Sequence, residues 1–310
     1  MTGSDPLITI LSTAVLLAVP VLWAALGELI VERSGTLNIG VEGVMLIGAI
    51  SASFVLHAGG STFVAALASL SAGALCGMVL AYLYVVRRTD QIVTGILFNL
   101  IALGLTTTLF SQFLNGVGQV HTVSTYKIPL LSKIPIIGPA FFDQTILFYV
   151  AIVGVVVVLW LLHGTWFGMN ILAVGESPLT AETAGINVVR TRWRALTLGC
   201  SLAGLGGAAI VLTASGAFLP NITNGQGYIA LAIVVLGRFR PGWLLVGALL
   251  FGVASAFQFQ LQSLSFAQPI PKQVWLALPY IATIVAVAFS RSARYPAAVG
   301  KPYVPMSRGQ

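Results

Sequence analysis

The chain has 310 residues, of which 57% are hydrophobic and only 7% are charged. Soluble domains carry roughly 25% charged residues, so this composition excludes a water-soluble globular fold. The formal net charge is +7, but the basic residues lie between long apolar runs and form no face with interleaved aromatic residues, which argues against nucleic acid as a partner. The sequence therefore predicts an all-α, polytopic membrane protein built as a bundle of transmembrane helices.

Nine apolar segments are predicted as spans, because an apolar run of about 20 residues crosses a bilayer core of about 30 Å. The first run lacks the basic start and the small-residue cleavage site of a signal peptide, so it is expected to remain as a span. The seventh is too short to cross alone and is expected to be half of a broken helix. In chain order the segments are 7–30, 38–57, 62–86, 91–113, 144–163, 193–215, 228–237, 241–262 and 273–290.

The basic residues predict the orientation of these spans. If the N-terminus lies outside, twelve of the fifteen lysines and arginines fall at cytoplasmic ends, and only Lys127, Lys133 and Lys272 fall outside, in agreement with the positive-inside rule. The polar stretch 114–143 is then an external loop, and residues 291–310 form a cytoplasmic tail. The twelve are Arg33, Arg87, Arg88, Arg190, Arg192, Arg194, Arg238, Arg240, Arg291, Arg294, Lys301 and Arg308.

The two halves of the chain share a layout. Residues 7–113 hold a long span, a break at 31–40 and three further spans, and residues 193–290 repeat this order from the opposite side of the membrane. Such a layout predicts two inverted repeats joined by the span at 144–163, with a substrate site near the midplane lined by broken helices. The alternative is a coincidental match of two coarse patterns. The second break holds Pro220, Asn221, Asn224, Gly225 and Gly227.

The first break, ELIVERSGTLNIGVEG at 28–43, holds three of the eight acidic residues of the chain. Irregular backbone at membrane depth occurs only where protein or a water-filled cavity satisfies its polar groups. Glu42 leads into an apolar run, where a carboxylate is costly unless it is paired or hydrated. The stretch is therefore predicted to line a cavity. The alternative is an ordinary cytoplasmic loop in which Glu28, Glu32, Arg33 and Glu42 pair with one another.

Six polar residues, in the two breaks and at the start of the fourth span, are predicted to line a substrate path. Their side chains are mostly amides, which can hydrogen-bond a neutral polar solute, although amides also join helices to one another in lipid. Both interpretations stay open for each residue. The six are Asn38, Glu42, Gln91, Asn99, Asn224 and Gln226.

A soluble segment at 165–192 contains the signature of a short capped helix. Ser177 is placed to cap its N-terminus and Pro178 suits the first helical position. Gly185 suits the left-handed position that ends a helix. The predicted helix has about seven residues and is about 10 Å long. Held between two spans, it is suited either to transmit force from a cytoplasmic partner or simply to connect the spans.

Four blocks in the same order resemble the membrane-embedded permease subunits of bacterial ABC importers. The nearest branch serves nucleosides, and the ribose and branched-chain amino acid permeases are more distant. The likeness covers nearly the whole chain, although a first span found in the ribose-type permeases is missing. The blocks are ERSGTLNIGVEGVMLIGA (32–49), QIVTGILFNLIALG (91–104), AVGESPLTAETAGINVVRTR (173–192) and GQGYIALAIVVLGRFRPGWLLVGALLFG (225–252).

The resemblance implies one permease domain over 1–310 in a bacterial inner membrane, importing nucleosides or related nucleobases by alternating access. It also implies three protein partners: a second, homologous permease in a heterodimer, a cytoplasmic ATPase that binds ATP and Mg, and an extracytoplasmic substrate-binding lipoprotein. The short capped segment would be the coupling helix that docks on the ATPase. Its residues are Gly175, Glu176, Ser177, Pro178, Thr180, Ala181, Ala184 and Gly185.

The sequence gives no sign of chemistry in this chain itself. It contains no GxxxxGK[ST] phosphate loop, no HExxH and no GxSxG motif, so neither an enzyme nor a bound cofactor is expected. Three alternatives stay open. The chain could be an autonomous proton-coupled transporter that uses Glu28 or Glu42, an ABC permease for a simple sugar such as a pentose, or a structural scaffold, which would leave the polar breaks unexplained.

Overall fold

Helices dominate the computed structural model, which describes residues 6–116, 123–129, 131–135, 137–262, 271–289 and 295–304. Turns of π-helix continue α3, α4 and α9 over Tyr82–Val86, Phe110–Leu114 and Ile210–Ser215. The helices are α1 (Pro6–Arg33), α2 (Val41–His57), α3 (Thr62–Ala81), α4 (Gln91–Leu109), α5 (Ile137–Phe141), α6 (Ile146–Gly164), α7 (Trp166–Glu176), α8 (Pro178–Thr183), α9 (Val188–Ala209), α10 (Gln226–Leu236), α11 (Pro241–Gln262), α12 (Lys272–Leu276) and α13 (Leu278–Phe289).

Six helices in the described part of the chain are long and apolar enough to cross a membrane. The prediction of a polytopic helical membrane protein is confirmed. The second, seventh and ninth predicted segments are shorter apolar helices, Val41–His57, Gln226–Leu236 and Gln273–Phe289, so a count of nine crossing spans stays a prediction. The six long helices are Leu7–Arg33, Thr62–Val86, Gln91–Leu114, Ile146–Gly164, Val188–Ser215 and Pro241–Gln262.

The centre of the bundle is α9, which contacts α1, α2 and α3. Small residues let these helices touch backbone to backbone. A Cβ atom at Gly27 would lie 2.2 Å from the carbonyl oxygen of Gly199, and one at Gly48 would lie 2.1 Å from that of Gly204. A Cβ atom at Gly73 would lie 2.3 Å from another carbonyl oxygen of α9. Close packing of this kind holds helices together in lipid, where the hydrophobic effect does not drive their association.

The helix contacts of the two halves mirror each other. The third helix of each half lies on the long first helix of the other, because α3 packs against α9 and α11 packs against α1. The contact between α11 and α1 is also close, since a Cβ atom at Gly252 would lie 2.1 Å from the carbonyl oxygen of Ala14. The short helices follow the same rule, with α2 packed against α9 and α10 packed against α1.

The predicted external loop departs from the all-α expectation. Strand β1 (Thr125–Lys127) pairs antiparallel with β2 (Asp143–Thr145). The ammonium group of Lys127 forms a salt bridge of 3.3 Å with the Asp143 carboxylate. The stretch around these strands lacks the apolar periodicity of a helix, so pairing the two strands is how their backbone groups find hydrogen-bond partners.

The sixth predicted segment starts earlier than the sequence suggests. Helix α9 begins at Val188 rather than at 193, because the Asn187 side chain caps it by accepting a hydrogen bond of 2.9 Å from the Arg190 N–H. Some predictions fall outside the described residues, namely the end of the second repeat at residue 290, parts of 114–143 and of the tail, and the basic residues Arg291, Arg294 and Arg308.

Candidate functional site

The first break places irregular backbone inside the bundle. The side-chain amide nitrogen of Asn38 lies 3.6 Å from the sulfur of Cys200. Cys200 follows the start of α9 at Val188 by twelve residues, which is about 18 Å along that helix. Helix α2, which starts three residues after Asn38, therefore begins well inside the bundle.

The second break, residues 216–225, relies on left-handed backbone. Gly216 and Gly225 have φ values of 64° and 81°, and Asn221 and Asn224 have values of 58° and 42°. Glycine adopts this conformation at little cost, and asparagine tolerates it better than most residues. The break ends where α10 begins.

Glu42, in the first turn of α2, joins the two breaks. Its carboxylate accepts hydrogen bonds from the Thr223 hydroxyl at 2.5 Å, the Gly225 N–H at 2.8 Å and the Gly227 N–H at 2.7 Å. The residue is only 6% exposed. The N–H groups at a helix start lack partners within the helix, and the helix dipole favours an anion there. The three hydrogen bonds thus offset the free-energy cost of burying the carboxylate, and they hold the N-termini of α2 and α10 together.

Asn99 connects a third helix, α4, to the junction between α2 and α10. Its side-chain nitrogen donates to the Ile39 carbonyl and to the Tyr228 hydroxyl, both at 2.8 Å. Its side-chain oxygen accepts from the Gly43 N–H at 2.8 Å. One amide therefore connects the first break, the start of α2 and the first turn of α10.

Gln91 and Asn38 hold the first break from two sides. The Gln91 side-chain oxygen accepts a hydrogen bond of 2.7 Å from the Leu37 N–H. Asn38 donates to the Glu28 carboxyl group through its backbone N–H and through its side-chain nitrogen, at 3.2 Å each. Both residues are buried. In this structure their bonds fix the path of the backbone.

The charged residues of the first break do not form the mutual pairs of an ordinary loop. The Arg33 guanidinium donates to the Phe239 carbonyl at 2.8 Å and lies 5.6 Å from the centre of the Phe239 ring. Glu42 is held by α10 and its preceding break, and Glu28 by Asn38. The contacts made by these side chains therefore differ from those of the loop alternative.

Asn224 and Gln226 flank Gly225, whose N–H binds Glu42, but the two residues also line a neighbouring cavity. The Asn224 carbonyl accepts a hydrogen bond from the Tyr280 hydroxyl. Asn224 and Gln226 line a cavity of about 110 Å³ together with residues of α11 and α13. The six predicted residues thus fall into two groups, one at the junction and one at this cavity, and contact of any of them with a solute stays a prediction.

Sequence reasoning missed four side chains of these two groups. Thr223 and Tyr228 complete the junction, and Ser255 and Gln258 line the cavity. Tyr228 and Thr223 carry no distinctive spacing. Ser255 and Gln258 stand three residues apart in an apolar helix, so they share one face, and that spacing was a signal available in the sequence.

The short helix α8 lies where the capping pattern predicts it. The Ser177 side chain accepts a hydrogen bond of 3.4 Å from the Thr180 N–H, and Pro178 is the first residue of the helix. Gly185 follows with a φ of 83°. The helix has six residues rather than about seven, because the turn at Ala184 already departs from helical geometry.

One side of the predicted coupling segment is exposed and the other is buried. Leu179 is 53% exposed, whereas Ala181 is 4% exposed and packs with Val174, Val188 and Tyr303. The other exposed residues between Gly175 and Gly185 are Glu176, Thr180, Thr183, Ala184 and Gly185. A partner could therefore contact this segment without disturbing its packing.

The described part of the tail, residues 295–304, packs on the coupling segment. The Ala298 N–H donates to the Gly175 carbonyl at 3.0 Å. The guanidinium of the buried Arg192 donates to the carbonyl groups of Lys301 and Ser34, each at 3.2 Å. Arg192 thus joins α9, the tail and the first break.

Two further features of this region concern Gly175 and Tyr303. A Cβ atom at Gly175 would lie 2.0 Å from the carbonyl oxygen of Arg33, so the end of α7 touches the end of α1 directly. Burial raises the pKa of the Tyr303 phenol to about 12, and the nearby Glu182 carboxylate adds to this rise. Tyr303 therefore stays neutral where it packs against α8.

Comparison with known proteins places the chain in a family. The family described as the permease component of branched-chain amino acid transport systems matches residues 10–287. The guanosine ABC transporter permease protein NupQ of Bacillus subtilis is 36% identical over 93% of this chain and 93% of its own. The nucleoside ABC transporter permease protein NupC of Lactococcus lactis subsp. cremoris is 34% identical over 95% of this chain and 96% of its own.

A third relative carries a different substrate in its name. TsgC13 of Haloferax volcanii, provisionally named as a glucose ABC transporter permease protein, is 35% identical over 91% of this chain and 91% of its own. No solved structure matches the chain significantly. The chain belongs to the permease-component family of branched-chain amino acid transport systems, and it is a permease subunit of an ABC transporter.

Proposed function

We propose that this permease moves nucleosides or related nucleobases into the cytoplasm by alternating access, as one subunit of an ABC importer. The observation that carries the mechanism is the meeting of α2 and α10 at Glu42, inside the bundle. Broken helices that meet within a membrane protein are where transporters of several folds place their substrate path. Rearrangement of the two breaks would open this path to either side in turn.

The substrate class rests on the relatives and on the polar residues. NupQ and NupC are named for guanosine and nucleosides. The polar side chains that line the cavity are amides and hydroxyls, which suit a neutral polar solute better than an ion. A simple sugar is the second candidate, because TsgC13 is named for glucose at a similar identity.

We also propose that residues 7–113 and 193–290 are inverted repeats joined by α6, with the N-terminus outside and the tail in the cytoplasm. The mirrored contacts of α3 on α9 and of α11 on α1 support the repeats. The distribution of basic residues supports the orientation. Each repeat would contribute one short helix to the junction, α2 from the first and α10 from the second.

The proposed partners are a second, homologous permease in a heterodimer, a cytoplasmic ATPase that holds ATP and Mg, and a substrate-binding lipoprotein. The exposed side of α8 would dock on the ATPase, and its buried side would pass the movement to α7 and α9. ATP can shift the conformational equilibrium only by binding the two states of the assembly with different affinity. The lipoprotein would deliver the solute from outside.

Proton coupling through Glu42 is less well supported. A proton-relaying carboxylate must gain and lose its proton during transport, but this carboxylate accepts three hydrogen bonds across the junction. Protonation would weaken those bonds and loosen the contact between α2 and α10. The geometry therefore suits a fixed structural link better than a proton carrier.

Purification from the native membrane tests the proposal. The protein should co-purify with an ATPase, and the assembly should import radiolabelled guanosine into liposomes only when ATP is on the cytoplasmic side. Transport by the isolated chain, without ATP or any partner, would overturn the importer. Import of glucose but not of guanosine would show that the substrate is a simple sugar and not a nucleoside.

A further inference from the structure

A small polar cavity lies between the second break and the helices α11 and α13. Its volume is about 110 Å³. Charged side chains are absent from the described residues that line it. The polar residues among them are Asn224, Gln226, Ser255, Gln258 and Tyr280.

Three polar groups at this cavity have unused hydrogen-bonding capacity. Ser255 is 6% exposed and Gln258 is 4% exposed, and neither side chain is hydrogen-bonded to another described residue. The side-chain oxygen of Gln226 is buried and also lacks a partner among those residues. By contrast, the amide groups of Gln91 and Asn99 at the junction are bonded to the backbone.

Burying polar groups without hydrogen-bond partners lowers the stability of the fold. A polar group that stays buried without a partner is destabilising, and among the described residues that line the cavity the side-chain oxygen of Gln226 is in that position. Packing alone would be served better by leucine or alanine at 255 and 258. The polar side chains at this place are therefore explained by a polar occupant that they bind.

The shape and chemistry of the walls indicate what that occupant is. Phe251, Phe259 and Tyr280 supply aromatic surfaces, on which planar heterocycles stack. The side chains of Gln226 and Gln258 each offer a donor and an acceptor, and this pair matches the edge of a base.

From this geometry we infer that the cavity is a subsite for the neutral base of the transported solute, with Gln226, Ser255 and Gln258 as its hydrogen-bonding groups. The inference rests on the proposed function, because it takes the solute to be a nucleoside or nucleobase. The ribose of a nucleoside would extend beyond the cavity, past Asn224 and Tyr280. Helices α11 and α13 would then contribute to solute selection in addition to the binding protein.

Photolabelling of the complete transporter tests this subsite. The assembly is first shown to import guanosine, and is then irradiated with 8-azidoguanosine, after which labelled peptides are mapped by mass spectrometry. Label is expected on 251–259 or 276–280. Gln258→Leu should reduce it about tenfold, the effect of losing about 1.4 kcal/mol of binding. The matched control is Gln112→Leu, at an exposed glutamine in the π-helical turn Phe110–Leu114 that continues α4.

A milder variant protects the test against misfolding. Ser255→Ala should lower labelling while the gel-filtration profile stays unchanged, and Ser71→Ala, at an exposed serine of α3, should leave labelling unchanged. Free guanine should compete for the label and ribose should not.

Each contrary result has a distinct meaning. Label elsewhere in an assembly that imports guanosine, equal labelling of Gln258→Leu and its control, or competition by ribose rather than by guanine would overturn the base subsite alone. Failure of the wild-type assembly to import guanosine would overturn the proposed nucleoside function, and the base subsite with it.

Discussion

The carboxylate of Glu42, in the first turn of α2, accepts a hydrogen bond of 2.7 Å from the backbone N–H of Gly227, in the first turn of α10. Two helices from opposite halves of the chain are thereby joined end to end inside the bundle. Two helix N-termini that face each other would repel through their dipoles, and a carboxylate between them removes this conflict.

Glu42→Gln is expected to weaken the junction. One oxygen becomes an NH₂ group that cannot accept a hydrogen bond from the N–H of Gly225 or of Gly227, so stability should fall by about 1–3 kcal/mol. Thermal unfolding of the purified assembly measures this fall, and transport should decline with and without a pH gradient. Thr223→Ser keeps the hydroxyl and serves as the control. Normal transport by Glu42→Gln with loss of pH-gradient dependence would instead identify a proton carrier.

Gly199→Ala is expected to separate α1 from α9. The added Cβ atom would lie 2.4 Å from a methyl group of Val31 and 2.5 Å from the Gly27 carbonyl oxygen. Overpacking of this kind costs about 1–3 kcal/mol, measured as a lower thermal midpoint. Gly104→Ala is the matched control, because its added Cβ would meet no atom within 4 Å apart from its chain neighbours and the nearby backbone of its own helix. Equal midpoints for the two variants would contradict the close contact.

Leu179→Asp is expected to uncouple the ATPase while leaving the fold intact, since Leu179 is 53% exposed on α8. ATP hydrolysis stimulated by the loaded binding protein should be lost, with unchanged gel filtration. Leu131→Asp, at a side chain 42% exposed in the predicted external loop, is the control. Stimulation at the wild-type level in Leu179→Asp would argue that α8 is only a connector.

Ala181→Trp should behave differently from changes on the exposed side of α8. Ala181 is 4% exposed and packs with Val174, Val188 and Tyr303, so a bulky side chain should lower stability by about 1–3 kcal/mol through overpacking. The same measurement on Thr180→Trp, at an exposed position, should show little change in the thermal midpoint. Equal losses in both would mean that the two sides of α8 are not distinct.

The raised pKa of Tyr303 predicts that the stability of the fold decreases at alkaline pH. Burial, with the Glu182 carboxylate, raises its pKa from 10.0 to about 12, so the folded chain holds the phenol proton more tightly than the unfolded chain. Its contribution is present in full below about pH 10 and is lost as pH rises toward about 12. The thermal midpoint should therefore fall more steeply in the wild type than in Tyr303→Phe, with Tyr126→Phe, at an exposed tyrosine, as the control. Parallel curves for the wild type and Tyr303→Phe would contradict this assignment.

Local signals in the sequence were reliable where a few neighbouring residues decide the structure. Ser177, Pro178 and Gly185 set the ends of α8, and the run of apolar residues located α10 as a short helix. The start of α9 was placed five residues too late, because Asn187 caps a turn that carries three arginines and so does not look like part of a span.

The hydrogen-bond partners of the polar side chains could not be predicted from the sequence. Glu42 and Thr223 are 181 positions apart in the chain, and nothing local to either residue indicates that they meet. The sequence could show that Glu42 needs a partner, since a buried carboxylate is costly, but not that the partner is a helix start in the other half. Asn99 and Tyr228 illustrate the same limit.

The contact between Gly175 and Arg33 determines how directly a movement of α7 and α8 would be transmitted to α1. Side chains between two helices act as a soft layer, because they can change rotamer and absorb small displacements. Here the backbone of α7 rests on the last carbonyl of α1 with no side chain between them. A shift of α7 and α8 should therefore move the C-terminal end of α1, and with it the start of the first break, as one rigid body.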